Sequence, residues 1–289
     1  SLDIRKTYKL YIDGKFSRTE SGRFMQWVNT KDNQTVNFCR ASRKDFRNAV
    51  LSSRNAFNNW KNFSGYNRGQ ILYRIAEMLN SRKEQFISEL LLQGKSKKQS
   101  IQEIQMSIDR LIYYAGWSDK YQQVFSRVNP VSTPHYNFSL PEPTGVISII
   151  APKNSYLLGF ISVIVPALVG GNTVVVLASE DNPLCAISFS EVLHSSDVPN
   201  GVINILSGFR HELIDHFSSH MDVNAVIYCG SDINDSELIK KNSSLNVKRV
   251  FDYGSMDWAH SDSQDPYLIM DCQEVKTTWH PIGLSLIHI

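Results

Sequence analysis

Apolar positions between residues 42 and 125 recur every three or four places, the spacing of one face of a helix. Phe46, Val50, Phe57 and Trp60 form one stripe, and Ile71, Leu72, Ile75, Ala76 and Leu79 form a second. A third runs through Ile101, Ile104, Ile108, Leu111 and Ile112 into the aromatic cluster Tyr113, Tyr114, Trp117 and Tyr121. Three long amphipathic helices are expected, with these stripes as their packing surface. Ser42-Arg-Lys-Asp45 sets a hydroxyl three residues ahead of a carboxylate, a pairing that satisfies the free amides of a helix start. Residues 1 to 41 are polar and strand-like, and Asp13-Gly14 is a hairpin turn signal.

The pattern changes after the looser segment Val128 to Pro134. Gly145 to Ile150 is a short β-branched run between Pro143 and Pro152, as expected of a strand buried on both faces of a parallel sheet. Asn154 and Ser155 open an apolar stretch from Tyr156 to Val169, long enough for a buried helix and closed by Gly170-Gly171, where a positive φ is expected. Thr173 to Leu177 is the next strand. In such a unit the right-handed crossover puts residues 151 to 155 at the carboxyl edge of the sheet, where ligands bind. Strand and helix signals alternate as far as Asp252. The expected fold class is therefore α/β, with a doubly wound Rossmann-type parallel sheet over residues 135 to 258. An amino-terminal hairpin and helical layer over residues 1 to 134 pack on it, and residues 259 to 289 form a carboxyl-terminal extension.

Composition narrows the function classes. The 289 residues carry a formal net charge of +2 with interspersed signs, which gives no electrostatic footprint for nucleic acid. No apolar run approaches the roughly 20 residues of a membrane span, and Ser1-Leu-Asp-Ile-Arg5 lacks a signal-peptide core. A cytoplasmic protein with neither membrane nor nucleic-acid partner is expected. Cys39, Cys185, Cys229 and Cys272 are scattered without a CxxC pair, so neither a metal site nor a disulfide framework is expected.

Several stretches together carry a family resemblance: Pro152-Lys-Asn154, Leu177-Ala-Ser-Glu180, Val198-Pro-Asn-Gly-Val-Ile-Asn-Ile-Leu-Ser-Gly208, Gly230-Ser231 and Tyr11-Ile-Asp-Gly-Lys-Phe16. Over nearly its whole length the chain resembles the aldehyde dehydrogenase superfamily. Tyr113-Tyr-Ala-Gly-Trp-Ser-Asp-Lys120, Ser196-Asp-Val-Pro199 and Asp252-Tyr-Gly254 are most similar to the second, shortened module of the tandem-module family sixteen. The resemblance implies NAD- or NADP-dependent oxidation of aldehydes to acids through a cysteine thioester. It further implies that the Asn154 amide faces the oxyanion, that Asp252 takes the place of the general base, and that Pro152, Glu180, Gly230 and Ser231 contact the cofactor.

The departures from the family pattern bear on chemistry. Lys153 replaces the tryptophan of Pro-Trp-Asn, and Leu177-Ala-Ser-Glu180 lacks the lysine of Lys-Pro-x-Glu, so Glu180 reads either as a ribose contact or as a solvated carboxylate. Asn154 reads either as the oxyanion donor or as the cap of the following helix. Asp232, Asp235 and Glu237 crowd the first turn of the helix after Ser231. Carboxylates there suit the helix dipole but oppose a phosphate, by roughly 3 kcal/mol each at about 5 Å and an effective dielectric of about 20. No nucleophilic cysteine occurs in a Gly-Gln-x-Cys context. Cys272 lies only 272 − 252 = 20 residues beyond Asp252, between acids that raise a thiol pKa. The expectation is a module without the family's catalytic domain, structural or regulatory, partnered by a companion aldehyde dehydrogenase module in the same full-length chain and by a second copy in a homodimer. Two other readings stand: a fragment of an active NAD-dependent enzyme whose cysteine lies elsewhere in the full chain, and a nucleotide-holding module without chemistry. Leu284 to Ile289 fit no family motif and read as foreign sequence, with the module ending near Gly283.

Overall fold

The structure, a computed structural model, describes residues 7–29 and 34–283. The expectation for Leu284 to Ile289 lies outside the described residues. The central sheet has seven strands in the order Arg249–Asp252, Ala225–Tyr228, Val146–Ile150, Thr173–Leu177, Ile203–Leu206, Leu10–Ile12, Lys15–Ser17. The first five are parallel and the last two antiparallel. Successive strands build outward on one side of Val146–Ile150 and then on the other. The order therefore reverses between Val146–Ile150 and Ala225–Tyr228, and a crevice opens at the carboxyl ends of those two strands.

Burial explains the sequence signature of this core. Every residue of Val146–Ile150 and Thr173–Leu177 is buried, because helices cover both faces of the sheet. Every residue of the helix Leu158–Val169 is buried as well. It lies between the sheet and the outer helix Lys97–Trp117, which accounts for its being apolar all round. Of the glycines that close it, only Gly171 takes the positive φ, at 87°. Gly170 stays helical as the last cap position.

The helical layer comprises Arg43–Lys61, Gly65–Ser81, Lys83–Leu92 and Lys97–Trp117. The reciprocal cap at the first of these forms as expected. The Asp45 amide donates to Ser42 Oγ at 3.3 Å, and the Ser42 amide donates to Asp45 Oδ2 at 2.8 Å. Asp13 and Gly14 turn the first hairpin with φ of 55° and 68°. That hairpin extends the central sheet, through Tyr11 opposite Ile205.

His135–Pro143 lies outside the central sheet. It pairs with Arg127–Asn129, which overlaps the start of the segment expected to be loose, and with Gln273–Pro281 over nine residues in antiparallel register. Its alternating burial fits a sheet wetted on one face, whereas the parallel strands are uniformly buried. The chain after Asp252 thus returns to pair with His135–Pro143 in a separate three-stranded sheet. Among the described residues, no helix is long and apolar enough to cross a membrane.

Candidate functional site

Two loops meet at the crevice, residues 151–157 after Val146–Ile150 and residues 229–232 after Ala225–Tyr228. A turn from Tyr253 to Ala259 covers them. Between these segments lies a cavity of about 140 Å³ lined by Pro152, Asn154, Gly230, Ser231, Tyr253 and Trp258, among others. A second cavity, of about 540 Å³, adjoins it and is lined by Lys95, Glu103, Met106, Asn154, Leu158 and Trp258 among others. Asn154 and Trp258 belong to both walls.

Asn154 is exposed, and its amide has no hydrogen-bond partner among the described residues. It does not cap the helix that follows. Glu103 Oε1 accepts from the Leu157 and Leu158 amides at 2.9 and 3.3 Å, and Ser155 Oγ accepts from the Gly159 amide at 2.7 Å. Glu103 is nearly buried and ion-paired to Lys95 at 3.0 Å, while the Lys95 ammonium lies 4.7 Å from the centre of the Tyr156 ring. This buried carboxylate, and not Asn154, supplies the negative charge a helix start favours. The Asn154 amide therefore remains available to a carbonyl oxygen or an oxyanion in either cavity.

The remaining expected residues have other partners. Glu180 is half-buried, and its Oε2 accepts from the Arg210 amide at 2.9 Å and so caps the helix Arg210–Ser219. Asp252 lines neither cavity. Its Oδ2 accepts from Ser236 Oγ at 2.7 Å and its Oδ1 from the Gly254 amide at 3.1 Å. Pro152, Gly230 and Ser231 do reach the smaller cavity. The helix Ile233–Ser244 begins with the Asp232 carboxylate accepting from the Asn234 amide at 2.9 Å, so its N-terminus carries its own anion.

No thiol is presented to solvent: all four cysteines are buried. Cys229 comes nearest, in the wall of the smaller cavity, but burial and the Asp252 charge push its pKa up, away from thiolate. Burial and Asp271 do the same to Cys272, whose carbonyl oxygen accepts from Thr144 and Asn172.

Sequence reasoning missed Arg110, which organises the covering turn. Its buried guanidinium donates to Ser162 Oγ at 2.8 Å, to the carbonyl oxygens of Ser263 and Trp258 at 2.8 and 3.1 Å, and to Gln264 Oε1 at 3.2 Å. A charged residue on the otherwise apolar Ile104, Ile108, Leu111 stripe was the available signal. Trp258, held in this way, packs edge-on to Tyr253, whose hydroxyl donates to Asp271 at 2.6 Å.

A doubly wound sheet with a loop-lined crevice at its switch point defines the dinucleotide-binding class of α/β protein. Comparison with known proteins narrows this further, for the aldehyde dehydrogenase family pattern matches residues 16–254, and the chain belongs to the aldehyde dehydrogenase family. It is 32% identical over 244 residues to an aldehyde dehydrogenase of Davidiella tassiana, covering 83% of this chain and 49% of that protein. Benzaldehyde dehydrogenase of Antirrhinum majus is 31% identical over 247 residues, with 84% and 46% covered. Cytosolic 10-formyltetrahydrofolate dehydrogenase of Mus musculus is 31% identical over 258 residues, with 86% of this chain but 28% of that protein covered. Among solved structures, the NAD+ complex of an aldehyde dehydrogenase from Bacillus cereus superposes with a TM-score of 0.80 at 26% identity, over 85% of this chain and 50% of that one. PnpE from Pseudomonas sp. WBC-3 gives 0.81 at 27%, over 86% and 50%. The chain spans about half the length of most of these relatives, and its described residues hold the nucleotide-binding half of the fold without a catalytic domain.

The family uses NAD(P). The residues present here do not fit such a cofactor. Glu180 serves a helix amide, and the helix N-terminus behind Gly230 is already capped by Asp232.

Proposed function

We propose that this chain is a non-catalytic aldehyde dehydrogenase module, of the kind represented by the second, shortened module of family sixteen. It serves as a structural or regulatory partner of a companion aldehyde dehydrogenase module in the same full-length chain, within a cytoplasmic homodimer. The observation that carries this reading is that every cysteine lies buried while the cavity at Asn154 is walled by the Gly254 to Ala259 turn of the chain itself. A thioester route needs a thiolate within bonding reach of the carbonyl carbon, and none is available. Asn154 alone could orient and polarise a carbonyl group; it could not form or break the bond.

A second reading is favoured by one specific feature, the free Asn154 amide in the wall of a 540 Å³ cavity. That is the arrangement expected if the chain were part of an active NAD-dependent aldehyde dehydrogenase whose cysteine is supplied elsewhere in the full chain. The test that separates the two is oxidation of a panel of aliphatic and aromatic aldehydes with NAD+ and NADP+ by the full-length protein, followed at 340 nm, with Asn154→Ala measured in parallel. A non-catalytic module leaves turnover unchanged in that variant. A fall of about a hundredfold or more in a folded Asn154→Ala variant would refute the non-catalytic reading.

A further inference from the structure

We infer that this chain occupies its own dinucleotide site with a network of Tyr228, Arg210, Asp235, Asp232 and Glu180, and that it therefore takes neither NAD nor NADP. The inference deepens the non-catalytic reading by stating what became of the cofactor crevice. Its centre is Tyr228, the last residue of the strand Ala225–Tyr228, next to the point where the strand order reverses. The hydroxyl of Tyr228 donates to Asp235 Oδ2 at 3.2 Å and accepts from the Asp232 amide at 3.3 Å. Arg210 Nε pairs with the same Asp235 carboxylate at 3.0 Å, and both side chains are largely buried. The Arg210 amide is held in turn by Glu180. Tyr228, Arg210, Asp232, Asp235 and Glu180 are thereby each bonded to another group of the chain.

The glycine at this point shows how completely the space is used. In a dinucleotide site, a glycine between strand and helix lets a pyrophosphate approach the backbone closely. At Gly230 that approach is taken from within: a Cβ there would stand 2.4 Å from the Tyr228 hydroxyl and 2.7 Å from Arg210 Nη1. On the other side, a Cβ on Gly254 would stand 2.1 Å from the Gly230 carbonyl oxygen. Glycine is thus required at both positions by the chain's own packing, with no ligand needed to explain it. The charges agree with the sterics. Lys153, in the wall of the smaller cavity, is paired with Asp181 at 3.3 Å and Arg210 with Asp235 at 3.0 Å, while Asp232 fills the helix N-terminus where an anion would bind.

The experiment is calorimetric titration of NAD+ and of NADP+ into the wild-type protein at low ionic strength. Asp235→Asn and the double variant Tyr228→Ala with Asp235→Asn are measured in parallel, each checked for native circular dichroism. The wild type should give no binding heat at 1 mM nucleotide. Asp235→Asn frees the guanidinium while keeping the shape of the side chain, and the double variant also opens the space over Gly230. Affinity should therefore rise at each step, by tenfold or more in the double variant. Should the double variant fail to fold, the gain in Asp235→Asn alone carries the test. Submillimolar binding by the wild type would overturn the inference, and so would folded variants that gain nothing. Wild-type binding without turnover would sink this inference and leave the non-catalytic reading standing, whereas turnover that depends on Asn154 would sink both.

Discussion

Arg110 is a buried cation with no carboxylate among its partners, its charge dispersed over hydroxyls, carbonyls and one amide oxygen. Burial lowers its pKa, yet the guanidinium remains charged because its basicity starts so high. Arg110→Met would keep much of the volume while leaving Trp258, Ser263 and Ser162 without their donor. The expected loss is about 3 kcal/mol in urea unfolding, with faster amide exchange confined first to residues 254–266. Lys248 is the converse case. It is 9% exposed, its ammonium has no hydrogen-bond partner among the described residues, and burial lowers its pKa to about 8. Between pH 8 and the ordinary lysine value of 10.5, the unfolded chain binds the proton that the folded chain has released, so stability rises with pH across that window. Below pH 8 the folded state bears the full cost of a desolvated ammonium. Lys248→Met should therefore be more stable than wild type at pH 7, by up to ~3 kcal/mol, and the gap should close by pH 10.5. Paired denaturation curves at the two pH values check this, and a gap that widens with pH would contradict it.

The elements that sequence predicts well here are those governed by local chemistry. Asp13-Gly14 turns the hairpin because both residues must take a positive φ, and Asp tolerates it while Gly imposes no penalty. Ser42 and Asp45 cap the first long helix across three residues. Ser42→Ala should cost about 1 kcal/mol of stability, and the measurement is a shift in the urea midpoint at unchanged slope. The central βαβ unit is equally legible, since uniform burial leaves uniform hydrophobicity. What the pattern could not supply was pairing at long range. Gln273–Pro281 finds its partner in His135–Pro143, about 130 residues earlier, and the extra strands of the central sheet come from the very start of the chain. The site divides along the same line. Self-capping of the helix after Ser231 was readable, because Asp232 serves an amide two residues on. The partnership of Tyr228 with Arg210 and Asp235 was not, because it joins a strand end to two separate helices. Asp252 was assigned by resemblance to a base position, and its neighbours Ser236 and Gly254 claim both oxygens instead.

At the scale of the whole molecule, the nucleotide-binding half of an aldehyde dehydrogenase is present, and the turn after Tyr253 lies across the crevice with Trp258 buried beneath it. The molecule keeps the sheet order, the switch point and the exposed Asn154, and it fills the intervening space with its own side chains. Its central claim, that no thiol is poised for chemistry, can be tested without knowing the aldehyde. The measurement is the rate at which native protein reacts with a chromogenic disulfide reagent at pH 7.5. With Cys39, Cys185, Cys229 and Cys272 all buried, less than one thiol per chain should react within minutes, and all four should react together in denaturant. One thiol reacting within seconds in the native protein, and shielded by an added aldehyde, would contradict the account.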